Sequence, residues 1–197
     1  MRGHLFLLIG PSGSGKTTLI REVRQRLPIV RFIPTTTTRA PRPGEQSGRE
    51  YYFASDREFD ALVEHGDLLE WQWVHGHRYG TSRLRFEQAL QEGVLGITSV
   101  DVLGGVAVKA AFAEDSTAIF VRPSSPQELR RRLLARGDPP GDDLERRLER
   151  VDMELAQAGR CDAVIVNDDG NLDSAVAALL DIVLPYLPEG SRGWLSS

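Results

Sequence analysis

The sequence has one cysteine, no long apolar run and no excess of positive charge. Cys161 is the only cysteine among 197 residues, which excludes a disulfide framework within the chain and agrees with a reducing compartment. No stretch approaches the roughly 20 apolar residues that a membrane span needs. The formal net charge of −4 argues against broad nucleic-acid binding, so local positive charge must hold any anionic ligand. We expect a cytoplasmic protein without nucleic-acid or membrane partners.

Short apolar runs alternate with helical patterns, and this alternation predicts the fold class. Each run is bounded by turn residues, as expected for strands of a parallel sheet that is buried on both faces. The predicted strands are residues 4–9, 94–100, 117–121 and 163–166. The predicted helices are residues 16–27, 83–91, 102–113, 126–135, 144–158 and 172–184. We therefore expect an α/β protein with a doubly wound parallel sheet and right-handed crossovers.

Residues 32–81 interrupt this alternation. They contain short, polar-interrupted strands around one helix, residues 55–65, whose start carries the capping pattern of Ser55 and Glu58. This predicts a small antiparallel insert within a single domain, whose core is formed by residues 1–31 and 82–187. The unpatterned residues 188–197 are expected to be a frayed tail.

The stretch "GPSGSGKTT" fits the motif G-x-x-x-x-G-K-[ST], and it lies between an apolar run and a helix, as that motif requires. A glycine-rich turn that leads into a helix offers main-chain N–H groups to phosphate oxygens. Lys16 is expected to reach the β- and γ-phosphates of a nucleoside triphosphate, and Thr17 to hold Mg²⁺. The candidate donor-binding residues of this loop are Gly10, Ser12, Gly13, Ser14, Gly15, Lys16, Thr17 and Thr18.

A second candidate site begins with "TTTTRAPRPGEQSGREYY", residues 35–52, which holds more hydrogen-bond donors than a packed core tolerates. Pro41 and Pro43 restrict the backbone around Arg39 and Arg42, so both guanidinium groups are expected to point toward one phosphate. Hydroxyl groups of two tyrosines, Tyr51 and Tyr79, are expected to add donors. A solvated surface loop is the alternative.

Three stretches, "TTTTRAPRPGEQSGREYYF", "LLEWQWVHGHRYGTS" and "VIVND", follow one another along the chain. Together they resemble the guanylate kinase family, from residue 5 to about residue 182. The resemblance implies a P-loop kinase that transfers a phosphoryl group from ATP, with Mg²⁺, to GMP and dGMP. It also implies that the two arginines and two tyrosines bind the phosphate of GMP and that Asn167 contacts the adenine of ATP. We expect a monomer or a homodimer.

The resemblance further implies which side chains read the guanine base, namely Thr35, Glu70, Thr81 and Asp101. Their chemistry agrees with that role, because a carboxylate accepts from both N–H groups of guanine while hydroxyl groups donate to its O6 atom. Adenine would present an acceptor to the carboxylate, and such mismatches discriminate by about 10⁴ or more.

A third basic cluster, Arg132, Arg136 and Arg147, flanks the unpatterned loop at residues 137–143. We expect a helical lid at about residues 132–150, whose arginines stabilise the transferred phosphoryl group when the lid closes. Pairing on helix faces is the alternative, since Glu128 and Asp143 each lie four residues before an arginine of the cluster.

The chain departs from the family at "TSVDVLGG". Where guanylate kinases carry an acid-x-acid pair followed by x-Gln-Gly, this sequence has Ser99 in place of the first acid and Leu103 in place of the glutamine. Asp101 keeps the second acid, which is expected to orient Mg²⁺ or its waters. Two alternatives stay open: a kinase of this fold that acts on another phosphorylated acceptor such as ribose 1,5-bisphosphate, and a non-catalytic binding module.

Overall fold

The computed structural model describes residues 3–74, 76–135 and 158–188. The strands in this part of the chain are β1 (His4–Ile9), β2 (Val30–Phe32), β3 (Thr36–Thr37), β4 (Tyr52–Phe53), β5 (Leu68–Val74), β6 (His77–Ser82), β7 (Leu95–Val100), β8 (Ser116–Arg122) and β9 (Ala163–Val166). The helices are α1 (Lys16–Arg26), α2 (Asp56–Glu64), α3 (Arg83–Gln91), α4 (Val102–Ala111), α5 (Pro126–Ala135) and α6 (Leu172–Val183).

Five strands form a parallel sheet in the order β2–β7–β1–β8–β9. Both faces of its central strand are buried. Phe6 and Leu8 pack with apolar residues of α1 and α6, whereas Leu5 and Leu7 pack with those of α3 and α4. An uninterrupted apolar strand is therefore required, because each face of the sheet is covered by helices.

The second sheet has the order β4–β3–β6–β5, and its strands lie between residues 36 and 82. β5 pairs with β6 and β6 with β3 in antiparallel fashion, but β3 and β4 are parallel. The prediction of an antiparallel insert is therefore wrong for that pair. The long connection of residues 38–51 returns the chain to the start of β3, and a parallel pair needs a connection of this length.

Helix starts follow the sequence signals. Ser55 caps α2 in a complete capping box, since its hydroxyl accepts from the main-chain N–H of Glu58 while the Glu58 carboxylate accepts from the Ser55 N–H. At α5, the Ser125 hydroxyl accepts from the N–H of Glu128 at 3.2 Å. Helix ends differ from prediction by one or two residues, which is the usual extent of fraying.

The three-residue strand β2 was not predicted, because its apolar pattern is too short and includes the exposed Arg31. The predicted helix at residues 144–158 lies outside the described residues except for Ala158. The lid beyond residue 135 and the tail from residue 189 lie outside them as well.

Candidate active site

The carboxyl edge of the parallel sheet brings the phosphate-binding loop, residues 10–18, beside the start of α4. Ile9 and Val100 lie opposite each other in the β1–β7 pair and end their strands. The residues that follow them are Gly10, the first of the loop, and Asp101, the N-cap of α4. Because the carboxyl ends of parallel strands meet at one edge, Gly10 and Asp101, which are 91 positions apart in sequence, converge there.

Glycines shape the phosphate-binding loop. Gly10, Gly13 and Gly15 have φ angles of 142°, 85° and 90°, a region that residues with a side chain rarely adopt. A Cβ atom on Gly10 would lie 2.2 Å from the carbonyl oxygen of Val121. The start of the loop, directly after β1, therefore lies in close contact with β8.

Lys16 begins α1 and lies across the loop. Its Nζ atom donates to the carbonyl oxygen of Gly10 at 2.6 Å and to that of Pro11 at 2.9 Å. Ser14 is fully buried, and its hydroxyl has no hydrogen-bond partner among the described residues. The other hydroxyl residues of the loop are the exposed Ser12 and Thr17 and the half-buried Thr18. An ammonium group and several hydroxyl groups thus lie where the main chain turns into a helix.

Asn167 follows β9 and lies against this loop. Its Nδ2 atom donates to the carbonyl oxygen of Ser14 at 2.8 Å, and only 5% of the residue is exposed. Its main-chain N–H donates to the carbonyl oxygen of Arg122 at 2.8 Å. The geometry thus ties Asn167 to the loop itself, and its contact with adenine stays a prediction.

One face of the second sheet is covered by α2. Trp71 of β5 lies edge-on to Phe59 of α2, with ring centroids 6.1 Å apart. The Arg78 guanidinium lies 4.7 Å from the Phe59 ring centroid and donates to the Asp60 carboxylate at 2.5 Å. Side chains alternate between the faces of a strand, so the neighbours of Trp71 and Arg78 in sequence point to the opposite face.

That opposite face, here called the acceptor face, carries five predicted or newly found polar residues. Glu70 pairs with Thr81, and Gln72 pairs with Tyr79, across β5 and β6. The pairing of β3 with β6 places Thr35 opposite Thr81, one position beyond the last recorded pair. Directly paired residues share a face. The acceptor face therefore includes Thr35, Glu70, Gln72, Tyr79 and Thr81, besides Thr37, which pairs with Tyr79.

Glu70 lies at the junction of the acceptor face and α4. Its Oε1 atom accepts from the Thr81 hydroxyl at 2.8 Å. A Cβ atom on Gly104 would lie 3.1 Å from that Oε1 atom and 3.5 Å from Oδ1 of Asp101, so both carboxylates face the first turn of α4. Burial raises the pKa of Glu70 to about 7; the hydrogen bond from Thr81 opposes the rise, and the charge of Asp101 adds to it.

Asp101 is held from two sides. Its Oδ1 atom accepts from the main-chain N–H of Gly104 at 2.9 Å, which caps α4, and its Oδ2 atom accepts from the side-chain amide of Gln72. The second contact joins the acceptor face to the carboxyl edge of the parallel sheet. It gives Asp101 a fixed orientation beside Glu70.

Arg39 lies among aromatic rings and is paired with an acid. Its Nη2 atom donates to both oxygens of Glu45, at 3.0 and 2.9 Å, and its guanidinium lies 5.4 Å from the ring centroid of Tyr51. The rings of Tyr51 and Tyr79 are 5.9 Å apart. Burial is the largest cause that raises the pKa of Tyr51, and the neighbouring Tyr79 raises it further. The positive charges of Arg39 and Arg42 oppose the rise. The structure therefore brings the four predicted phosphate-binding residues together, with the Arg42 side chain exposed.

Arg132 forms the ion pair on a helix face that the sequence offers as the alternative to a role in catalysis. It forms an ion pair with Glu128, and its Nε atom donates to Oδ1 of Asp169 at 2.9 Å. Its Nη2 atom also donates to the carbonyl oxygen of Asn167 at 2.8 Å. Arg136 and Arg147 lie outside the described residues, so their roles stay predictions.

Comparison with known proteins decides the family. The family model described as guanylate kinase matches residues 2–185. The chain belongs to the guanylate kinase family. It is 42% identical over 183 residues to "Guanylate kinase" of Thermotoga maritima, a match that covers 93% of this chain and 87% of that protein. It is 41% identical over 185 residues to "Guanylate kinase" of Salinibacter ruber, covering 93% and 97%.

Solved structures agree with this guanylate kinase fold. The crystal structure of guanylate kinase from Anaplasma phagocytophilum superposes with a TM-score of 0.74 and 25% identity, covering 98% of this chain and 94% of that one. Shikimate kinase from Bacteroides thetaiotaomicron has a TM-score of 0.52 at 14% identity and shares the fold alone. The protein is thus a nucleoside monophosphate kinase with a P-loop, and its family supports ATP-dependent phosphorylation of GMP as its activity.

Two residues of this guanylate kinase site were not predicted from sequence. Glu45 stands in the quoted "RPGE" and pairs with Arg39, six positions earlier; an acid at that spacing in a turn was an available signal. Gln72 contacts Asp101 from another sheet. Its only local signal is that it alternates with Trp71 and Trp73, as a residue on a polar face does.

Residues 3–74, 76–135 and 158–188 contain neither a metal-binding cluster nor a helix that could span a membrane. No group of three or more His, Cys, Asp or Glu side chains in these ranges could hold a metal ion. In the same ranges no helix is long and apolar enough to cross a bilayer.

The raised pKa of Glu70 predicts a pH-dependent affinity for GMP. Below about pH 7 the carboxylate takes up a proton and loses an acceptor for the guanine N–H groups, so affinity should fall as the pH decreases from 8 to 6. The proton that is displaced by GMP should also appear as a buffer-dependent heat in titration calorimetry.

Because the phosphate of GMP also titrates near pH 6, the reference is the Glu70→Gln variant, which keeps the shape but cannot ionise. The variant should bind GMP more weakly than the wild type does, and the pH dependence of its affinity should reflect only the titration of the GMP phosphate. Identical pH profiles for wild type and Glu70→Gln would contradict the assignment.

Proposed function

We propose that the chain transfers the γ-phosphoryl group of ATP to the α-phosphate of GMP, and also to that of dGMP, by direct in-line displacement with Mg²⁺. One observation carries the proposal: the Glu70–Thr81 pair and Asp101 meet beside the strand end from which the phosphate-binding loop begins. A site that recognises a purine base, next to a loop that binds a triphosphate, suits the transfer of a phosphoryl group between two nucleotides.

Base selection rests on the chemistry of the acceptor face. Glu70 offers acceptors to the N1–H and N2–H₂ groups of guanine, and the hydroxyl of Thr35 offers a donor to O6. The Thr81 hydroxyl, which donates to Glu70 in the unliganded protein, would turn to O6 once guanine pairs with that carboxylate. Asp101 adds a second carboxylate whose orientation is set by Gly104 and Gln72. Adenine would leave these buried groups unpaired. None of the proposed contacts involves the ribose 2′-hydroxyl, which is why dGMP is included.

The acceptor phosphate is assigned to Arg39 and Arg42 with the hydroxyls of Tyr51 and Tyr79. Guanidinium groups bind phosphate oxygens in bidentate fashion, and the pairing with Glu45 orients Arg39 before substrate arrives. We assign residues 32–81 as the insert that binds this acceptor. We expect the chain to act as a monomer or a homodimer.

The donor is assigned to the loop of residues 10–18. Its main-chain N–H groups and Lys16 bind the phosphates of ATP, and Arg136 and Arg147 approach the transferred group from the lid at about residues 132–150. The exposed hydroxyl of Thr17, in the first turn of α1, fits Mg²⁺, which prefers oxygen ligands and completes its shell with water and phosphate. When bound, the ion would neutralise charge on the β- and γ-phosphates.

The proposal predicts which acceptors are phosphorylated. In a coupled assay of ADP release with ATP and Mg²⁺, GMP and dGMP should turn over, and AMP, UMP and CMP should be slower by roughly 10⁴-fold because they leave Glu70 mispaired. Ribose 1,5-bisphosphate is assayed beside them. Turnover with the sugar phosphate alone would assign another acceptor, and GMP binding without turnover would indicate a binding module; either result contradicts the proposal.

A second prediction concerns Arg39. Replacement by alanine removes a charged hydrogen-bond donor and leaves Glu45 without its guanidinium partner beside the phosphate, so the KM for GMP should rise by at least about 10- to 100-fold. The affinity for ATP should be unchanged. The matched control is Arg49→Ala in the same loop, since the Arg49 side chain contacts Glu50 and the carbonyl oxygen of Gly44. Equal loss of GMP and ATP binding in Arg39→Ala, or equal effects of the two variants, would show that Arg39 is misassigned.

A further inference from the structure

We propose that Asn167 is a positioning residue that sets the shape of the phosphate-binding loop. Its side-chain amide holds the carbonyl group of Ser14 and thereby directs the next N–H group of the loop toward the donor phosphates. The inference rests on the proposed function, in which residues 10–18 bind the phosphates of ATP. It assigns to Asn167 a role in phosphate binding rather than in base recognition.

The contact joins two distant parts of the chain. Asn167 follows β9 and Ser14 lies between β1 and α1, yet Nδ2 of Asn167 donates to the Ser14 carbonyl oxygen at 2.8 Å. Both residues are buried, with 5% of Asn167 and none of Ser14 exposed. A carbonyl oxygen accepts only, so the amide nitrogen and not the amide oxygen must face it. Burial from water makes loss of this bond costly.

The trans peptide unit explains how this bond acts on the ligand. The C=O of Ser14 and the N–H of Gly15 belong to one planar group and point in opposite directions. A donor that fixes the carbonyl therefore also fixes the N–H. Without this donor, the peptide group is free to rotate and present its carbonyl oxygen to the phosphates. The phosphates would repel that oxygen.

Gly15 fits against Asn167 without space for a side chain. A Cβ atom at this position would lie 2.1 Å from Nδ2 of Asn167, and Gly15 has a φ of 90°. The glycine before Lys16 is thus required twice, by its backbone conformation and by the approach of the amide. This contact places Asn167 directly behind the start of α1.

Asn167 is itself held rigidly. Its N–H donates to the carbonyl oxygen of Arg122 at 2.8 Å, and its own carbonyl accepts from Arg132 at 2.8 Å. Arg132 is fixed in turn by Glu128 and Asp169. These bonds explain the position of Arg132 without a contact to substrate. They also supply the supporting contacts that a positioning residue needs.

The test compares three probes on one variant. Asn167→Leu keeps the approximate volume and removes the donor; its matched control is Asn171→Leu, at the chain's other asparagine, which is exposed on the same loop and caps α6 without a side-chain bond. Titration calorimetry measures the binding of ATP, inorganic tripolyphosphate and adenosine. We expect Asn167→Leu to weaken ATP and tripolyphosphate alike, by about 5- to 30-fold, and to leave adenosine binding and the KM for GMP unchanged.

Two results would overturn the inference. Weaker binding of ATP and adenosine with unchanged tripolyphosphate would assign Asn167 to the base, and unchanged binding of all three probes would assign it no role in the donor site. Should Asn167→Leu fail to fold, Asn167→Ala is measured with the same probes and the same expectation. Wild-type protein that neither binds tripolyphosphate nor phosphorylates GMP would contradict the proposed function and this inference together, whereas an active wild type with an unaltered variant overturns the inference alone.

Discussion

Parallel pairing of β1 with β7 is the constraint on which the site depends. It places Ile9 opposite Val100, so the chain leaves two neighbouring strands at the same edge, once into the phosphate-binding loop and once into Asp101. A helix follows each of these two strand ends, α1 after β1 and α4 after β7. The N–H groups at the starts of both helices point toward that edge. The sheet thus brings the phosphate-binding loop and the carboxylate proposed to read the base side by side before any ligand binds.

The second sheet completes the site because its two faces differ. One face packs on α2, with Trp71 and Arg78 against Phe59, which leaves the acceptor face toward α4. Partial burial there raises the pKa of Glu70 to about 7. A base with two N–H donors would, on binding, offset the free-energy cost of removing the carboxylate from water. In the same way Glu45 holds Arg39 in place until a phosphate arrives. Both features fit the proposal that the unliganded protein is already arranged for both ends of a guanine nucleotide.

Much of this was predictable from sequence where the signal is local. The motif at residues 10–18, the four long core strands and the capping box of α2 depend on neighbours within a few positions, and the structure has them where the patterns indicate. Contacts across sheets were not predictable. Gln72 meets Asp101, and Asn167 meets Ser14, only because strand register and crossovers bring them together, and neither leaves a periodic signal. The parallel β3–β4 pair was missed for a related reason, since the path of residues 38–51 is set by tertiary contacts.

The central claim is that donor and acceptor sites adjoin within one chain. The most direct test is calorimetric titration with adenosine and guanosine joined through five phosphates, compared with ATP and GMP alone. If the two sites adjoin, one molecule should bind per chain, at least about 100-fold more tightly than either nucleotide, because linked groups bind with a high effective concentration. Affinity no higher than that of ATP, or two molecules bound per chain, would contradict the account.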